Sequence, residues 1–187
     1  MSQILAEHED IIFDVIREYL NKNRVFNMKK IIPYIKARIA KSSTNISYEG
    51  IQKILFSLAK KKKIVEGTKL TKKDVLIYLR RQKIYDYIRE NPGKYIHQIG
   101  KELQISNKVI FWHLCVLLKF GFIKKMNIDN HTVYFDSNID IRKINKFYLA
   151  AKEKSKEIIN YLKINNIGIT KTRKTELYRP CQTTSCF

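Results

Sequence analysis

The sequence predicts a mainly α-helical chain with small β wings, built as two tandem copies of one helical unit followed by a C-terminal helix. Three observations predict it. Residues 91–135 read as a short strand, two helices joined by a tight turn, and a β-hairpin. An earlier stretch repeats the apolar pattern of the last of those helices at a constant spacing. Positive charge is in large excess, and lysines gather beside both copies of the patterned helix.

In residues 91–135, Pro92-Gly93 ends the preceding helix, because proline cannot continue it and glycine lets the chain turn. Tyr95-Ile96 has room for a short strand. A second helix is expected over residues 97–104, with Ile96, Ile99 and Leu103 at spacings of three and four. Ser106 suits an N-cap, its hydroxyl accepting from an orphan backbone N–H. In the helix that follows, Ile110, Leu114 and Leu117 fall at i, i+4 and i+7, which makes one buried stripe. Gly121 is expected to end this helix in a left-handed conformation. Residues 122–128 and 131–135 then form two strands around an Asp129-Asn130 turn. This is the element order of a winged helix-turn-helix, whose third helix commonly enters a DNA major groove.

The run Ile105-Ser106, Ile110-Phe111-Trp112-His113-Leu114, Leu117 and Gly121-Phe122-Ile123 resembles the recognition helix and first wing strand of archaeal and bacterial winged-helix transcription regulators of the ArsR/MarR type. The resemblance implies a DNA-binding regulator. Asn107, Lys108, Phe111, Trp112 and Cys115 form the outward face of its reading helix. Lys124, Lys125 and His131 of the wing are expected to meet the flanking backbone. One position departs from these families, in which a small polar residue, often serine, tends to stand where this chain has Phe111. A groove-facing aromatic can contact a thymine methyl. An exposed Phe/Trp pair also suits a protein contact surface.

From the start of the chain, residues 7–21 predict an amphipathic helix with Ile11, Ile12, Val15, Ile16, Tyr19 and Leu20 inward. Residues 24–26 are a short extended piece. Asn27 caps a helix over residues 28–40 that buries Ile31, Ile32, Ile35 and Ile39, with Pro33 positioned to bend or reset it. A loop over residues 41–45 leads to the repeat. Ile46-Ser47 matches Ile105-Ser106, and Ile51, Leu55, Leu58 and Ile64 match Ile110, Leu114, Leu117 and Ile123, every pair 59 positions apart. The first copy differs in a longer second helix, in Lys62 standing where the second has Gly121, and in a short wing. Thr71 and Asp74 form a capping box for a helix over residues 71–90 with Val75, Leu76, Leu79, Ile84, Tyr85 and Ile88. After the second wing, residues 141–165 predict a helix with Ile144, Tyr148, Ala151 and Leu162 on one face. The expected organisation is residues 1–70 and 71–138 as two winged-helix units, 139–169 as a C-terminal helix and 170–187 as a flexible basic tail. With no Gly/Ser linker between them, the two copies are expected to lie together.

The 187 residues hold 37 Lys and Arg against 17 Asp and Glu, a net charge of +20. Solubility needs a charge of only about 2–8 in a domain of this size. The surplus points to a polyanionic partner, and double-stranded DNA is the expected one. Lys60, Lys61, Lys62 and Lys63 follow the third helix of copy one, and Lys119, Lys124 and Lys125 that of copy two. They are candidate phosphate contacts, although lysines at a helix C-terminus also complement its dipole. Tyr48, Gln52 and Lys53 occupy the outward face of copy one, which reads a second site or serves as a docking module.

No apolar run approaches the roughly 18–20 residues needed to span a bilayer. The acidic start lacks a signal-peptide pattern, so a cytoplasmic protein is expected. Cys115, Cys181 and Cys186 do not make a disulfide framework, and neither metal nor cofactor is expected. His113 reads as a satisfied structural histidine. His97 falls at the start of the second helix. The chain has no Gly-rich phosphate loop, HExxH, CxxC or GxSxG, so it is not expected to be an enzyme. The C-terminal helix either pairs with a second subunit to form a homodimer or folds back on its own core. A competing reading is a protein–protein adaptor acting through Phe111 and Trp112, since tandem winged helices also build ESCRT-II and transcription-initiation subunits. An RNA-binding winged helix is the third.

Overall fold

Three helices bury the first hydrophobic cluster, together with Phe26 and Ile64 from the segments between elements. The helices are α1 (Ser2–Lys22), α2 (Met28–Ile39) and α3 (Tyr48–Lys60). The computed structural model describes residues 2–23, 25–41, 46–140, 142, 144, 148–149 and 153–165. It divides into two units, Met1–Asp140 and Ile141–Phe187. In the first cluster Ile12 and Ile16 meet Ile31, Ile35 and Ile39, and Ile51, Leu55 and Leu58 close it from α3. Phe26, in the connection before α2, is 1% exposed and fills the space between the helices. A large apolar side chain buried this fully stabilises by about 1.5–3 kcal/mol. Asn27 caps α2, its side-chain oxygen accepting from the N–H groups of Lys29 and Lys30, each at 3.0 Å. α2 continues through Pro33, which lies on its exposed side. The Ser47 hydroxyl accepts from the Gly50 N–H at 3.1 Å and starts α3.

The second cluster is built by α4 (Lys72–Val75), α5 (Leu79–Glu90), β1 (Lys94–Tyr95), α6 (Ile96–Leu103), α7 (Asn107–Lys119), β2 (Ile123–Ile128) and β3 (His131–Asp136). The strands form one antiparallel sheet in the order β1-β3-β2. Ile84 and Ile88 from α5, Ile99 from α6, and Ile110, Leu114 and Leu117 from α7 are each 0% exposed and share this core. The Tyr85 hydroxyl donates to buried Asp136 at 2.7 Å and ties α5 to the end of the wing. Burial first, and that bond second, push the Tyr85 phenol up to about 12. In the Ile141–Phe187 unit, residues 142, 144, 148 and 149 are helical, and α8 (Glu153–Asn165) follows. The expectations for Arg24, for residues 42–45, for much of 141–152, and for the tail with Cys181 and Cys186 lie outside the described residues.

The expected single helix over residues 71–90 is a correction. It breaks into α4 and α5, with Leu76, Ile77 and Tyr78 between them. The reason is geometric. Val75 and Ile84 are nine positions apart, which is two and a half turns and therefore opposite faces of one continuous helix. Both are 0% exposed in the same cluster, so the chain has to break to bury them together. The capping box itself forms, with the Thr71 N–H donating to the Asp74 carboxylate at 3.0 Å. Buried Arg81 donates to the Val75 carbonyl at 2.7 Å and so satisfies the end of α4.

The two copies share local geometry at the repeated positions. Ile51, Leu55, Leu58 and Ile64 are at most 1% exposed, and Ile110, Leu114, Leu117 and Ile123 at most 3%. α3 and α7 end in the same way. Lys63 N–H bonds to Leu58 O and Lys62 N–H to Ala59 O, while Phe122 N–H bonds to Leu117 O and Gly121 N–H to Leu118 O. Both are Schellman ends, which need a left-handed residue. Gly121 supplies it at φ 70°, and Lys62 adopts it at φ 53° against its own steric preference. Where the sequence predicts a short first wing, the described residues form a single antiparallel bridge, Ile64 to Thr71.

Gly121→Ala tests the importance of that turn. The Lys62 side chain lies over Gly121, but its Cδ is the flexible end of a long chain and can yield. The left-handed φ cannot. The variant is expected to lose about 1–2 kcal/mol, read as a lower midpoint in chemical denaturation with an unchanged slope.

Candidate nucleic-acid interface

The buried stripe of α7 sets its outward face. With Ile110, His113, Leu114 and Leu117 inward, Asn107, Lys108, Phe111 and Trp112 are exposed, and Cys115 is half-buried at the margin. Phe111 and Trp112 are each 57% exposed. Ser106 stands at the N-cap with extended backbone, but its hydroxyl makes no capping bond, unlike Ser47 in the first copy. The turn into α7 is tight. Gln104 is left-handed at φ 54°. A Cβ on Gly100 would lie 2.6 Å from Asn107 Oδ1 and 2.9 Å from the Ile105 carbonyl, so only glycine fits there. Asn107 therefore rests back on α6.

The wing is a two-residue hairpin. Asp129 and Asn130 both have positive φ, 47° and 63°, and Ile128 pairs with His131. That is the type I′ geometry, whose twist matches the flanking strands. His131 stacks on Tyr95 with centroids 4.9 Å apart and planes at 14°, so the start of β3 leans on β1. Lys125 and Asn127 face solvent, while Lys124 lies on the opposite face of β2. Its ammonium donates to the Ile139 carbonyl and reaches the Ser137 carbonyl at 3.5 Å. Adjacent strand residues point to opposite faces, so Lys124 and Lys125 project from opposite faces of the wing.

Two of the clustered lysines of the first copy are paired within the chain. Lys61 and Lys63 both donate to Glu9 of α1 at 2.7 Å, and these bonds hold its carboxyl below the usual range. Lys62 covers Gly121. Lys60 is exposed in the last turn of α3, as is Lys119 in the last turn of α7. On the outward face of α3, Gln52 donates to the Tyr48 hydroxyl at 3.2 Å, Lys36 lies 4.5 Å over the Tyr48 ring, and Lys53 is exposed.

His113 and Arg81 are the polar residues that sequence reasoning misjudged or missed. His113 is 2% exposed, yet its Nδ1 is without a hydrogen-bond partner among the described residues. It is held by rings instead. Tyr78 stacks on it at 5.4 Å and Trp112 meets it edge-on at 4.9 Å. Arg81 lies 5.6 Å from the Tyr78 ring and 5.3 Å from the Trp112 ring. Arg81 lies three residues before Ile84 and seven before Ile88, so extending that stripe backwards would have placed it inward.

The order α5-β1-α6-α7-β2-β3, with its three strands in one antiparallel sheet, is a winged helix-turn-helix arrangement. An uncharacterized HTH-type transcriptional regulator of Methanocaldococcus jannaschii is 33% identical over 93 residues, which cover 50% of this chain and 24% of that relative. The chain thus spans about a quarter of the length of the curated relative it matches. The multiple antibiotic-resistance repressor MarR of Listeria monocytogenes, known from its crystal structure, matches 70% of this chain and 81% of its own at 15% identity and a TM-score of 0.31. A likeness that loose carries nothing over. No protein-family model matches the chain. Among the described residues no helix is long and apolar enough to cross a membrane.

His113 generates a pH prediction. Burial first, then Arg81 and Arg80, lower its pKa below the ordinary 6.5. The folded state therefore holds His113 neutral where the unfolded chain protonates it. Unfolding takes up the proton, so stability falls as pH drops below 6.5 and recovers as pH rises. Thermal melts should show the midpoint rising from about pH 5 to about pH 7, and His113→Phe, which keeps a ring against Tyr78, should flatten that rise. The Glu9 contribution lies in a lower window. It is present above 4.5 and lost as pH falls further.

Proposed function

We propose that the chain is a DNA-binding transcription regulator made of two tandem winged-helix units, the second of which enters the major groove with α7. The observation that carries this reading is an α7 whose buried stripe leaves Lys108, Phe111 and Trp112 outward beside a charged wing, in a chain of net charge +20. Lys125, His131 and Lys119 contact the flanking phosphates and position the helix, and the base edges under α7 supply the specificity. Lys124 supports the wing from its other face. The first copy is a docking and bracing unit rather than a second reader, because Lys61 and Lys63 are already engaged by Glu9 and its wing is one bridge long. Two copies of the chain joined through the C-terminal helix would place their reading helices about one helical turn of DNA apart.

A second reading is a protein-binding adaptor. It is favoured by Ile77, Tyr78 and Leu79 between and at the ends of α4 and α5, which are 70%, 50% and 72% exposed, together with Phe111 and Trp112. The charge of the chain favours the first.

Titration of the full chain against duplex DNA over a salt series separates them. A regulator of this kind is expected to show a log–log salt slope steeper than about −4, as several phosphates are neutralised. Lys125→Ala should make that slope shallower by about 1, and Lys124→Ala should leave it unchanged. No duplex binding at about 100 mM salt, where non-specific DNA binding by a basic protein is still measurable, would favour the adaptor.

A further inference from the structure

α7 is poor in the side chains that read bases by hydrogen bonds. Its sequence, NKVIFWHLCVLLK, contains no Arg, Gln, Asp or Glu. Guanine is read by Arg or Lys, and adenine by an Asn or Gln amide. Asn107, the one amide, has its oxygen turned onto Gly100. Trp112 is engaged on the other side, with Arg81 over its ring at 5.3 Å and its edge toward His113. Phe111 is different. It is 57% exposed, with no ring or cation partner among the described residues. It follows Lys108 by three positions, so the two share one outward face of the helix.

An apolar ring presented to a major groove finds one apolar group there, the C5 methyl of thymine. We infer that Phe111 reads thymine methyls, so that the duplex preferred by this chain carries thymines in the base steps under the N-terminal half of α7. The inference rests on the proposal that α7 is the groove-entering helix, and it names what that helix recognises. Lys108, beside Phe111, suits a guanine edge or a phosphate and gives no preference for thymine. Burying one methyl against the ring changes affinity by about fourfold.

The test uses the full chain and a random-sequence duplex pool. The best-bound duplex is resynthesised with deoxyuridine replacing each thymidine in turn. Deoxyuridine keeps the pairing edge and the phosphates and removes only the methyl. The expected result is that one or two of these replacements each weaken binding about fourfold. Phe111→Ala should bind the thymidine and deoxyuridine duplexes equally, Phe111→Leu should keep part of the difference, and Lys125→Ala should weaken both duplexes while preserving the ratio. Circular dichroism melts of the Phe111 variants check that the exposed truncation leaves the core intact. Tight, sequence-selective binding that is indifferent to every deoxyuridine would overturn the methyl inference and leave the DNA-binding reading standing. Failure to enrich any duplex, with no binding to the pool at low salt, would overturn that reading and the inference with it.

Discussion

The burial of Ile110, Leu114 and Leu117 in one stripe of α7 is the constraint on which the rest depends. A helix has one angular degree of freedom about its axis. Once three residues at i, i+4 and i+7 are each 0% exposed, that freedom is spent. Lys108, Phe111 and Trp112 must then face away from the core, whatever they meet. The same stripe brings His113 against Tyr78, places Trp112 under Arg81, and directs the helix end so that Gly121 can turn the chain into β2. The candidate interface is thus a consequence of core packing, and its chemistry is what the remaining positions happen to carry.

The charge of the chain is distributed in a way that its total hides. In the first copy, Lys61 and Lys63 pair with Glu9 of α1, and Lys62 lies over Gly121. Lys124 braces the wing against carbonyls beyond β3. The cations left facing solvent near α7 are fewer than the sequence count suggests, and they include Lys108, Lys119 and Lys125. Electrostatic attraction to a polyanion is long-ranged and draws on the whole chain.

Between α4 and α7 the structure holds a polar group in an apolar setting. Arg81 satisfies the end of α4, is desolvated, and lies between two aromatic rings. Desolvation lowers its pKa, and it adds to the pressure on His113 to stay neutral. One buried guanidinium therefore couples the broken helix, the rings and the back of α7.

Short-range pattern was legible in the sequence by itself. The apolar periodicities placed α1, α2, α3, α6 and α7, Asp129-Asn130 marked the hairpin, Gly121 marked the left-handed helix end, and the 59-residue spacing linked positions that share burial and backbone conformation. These signals are local because hydrogen bonding and side-chain direction in a helix or hairpin repeat within a few residues. Tertiary structure alone decided the rest. The break between α4 and α5 arises because Val75 and Ile84 must reach one core from opposite faces. The engagement of Lys61 and Lys63 depends on a glutamate 52 and 54 residues away. The orphaned Nδ1 of His113, and the turning of Asn107 onto Gly100, depend on which elements lie alongside. A sequence states what each residue prefers near its neighbours in the chain; which distant group takes up its charge or covers its ring is settled only when the helices come together.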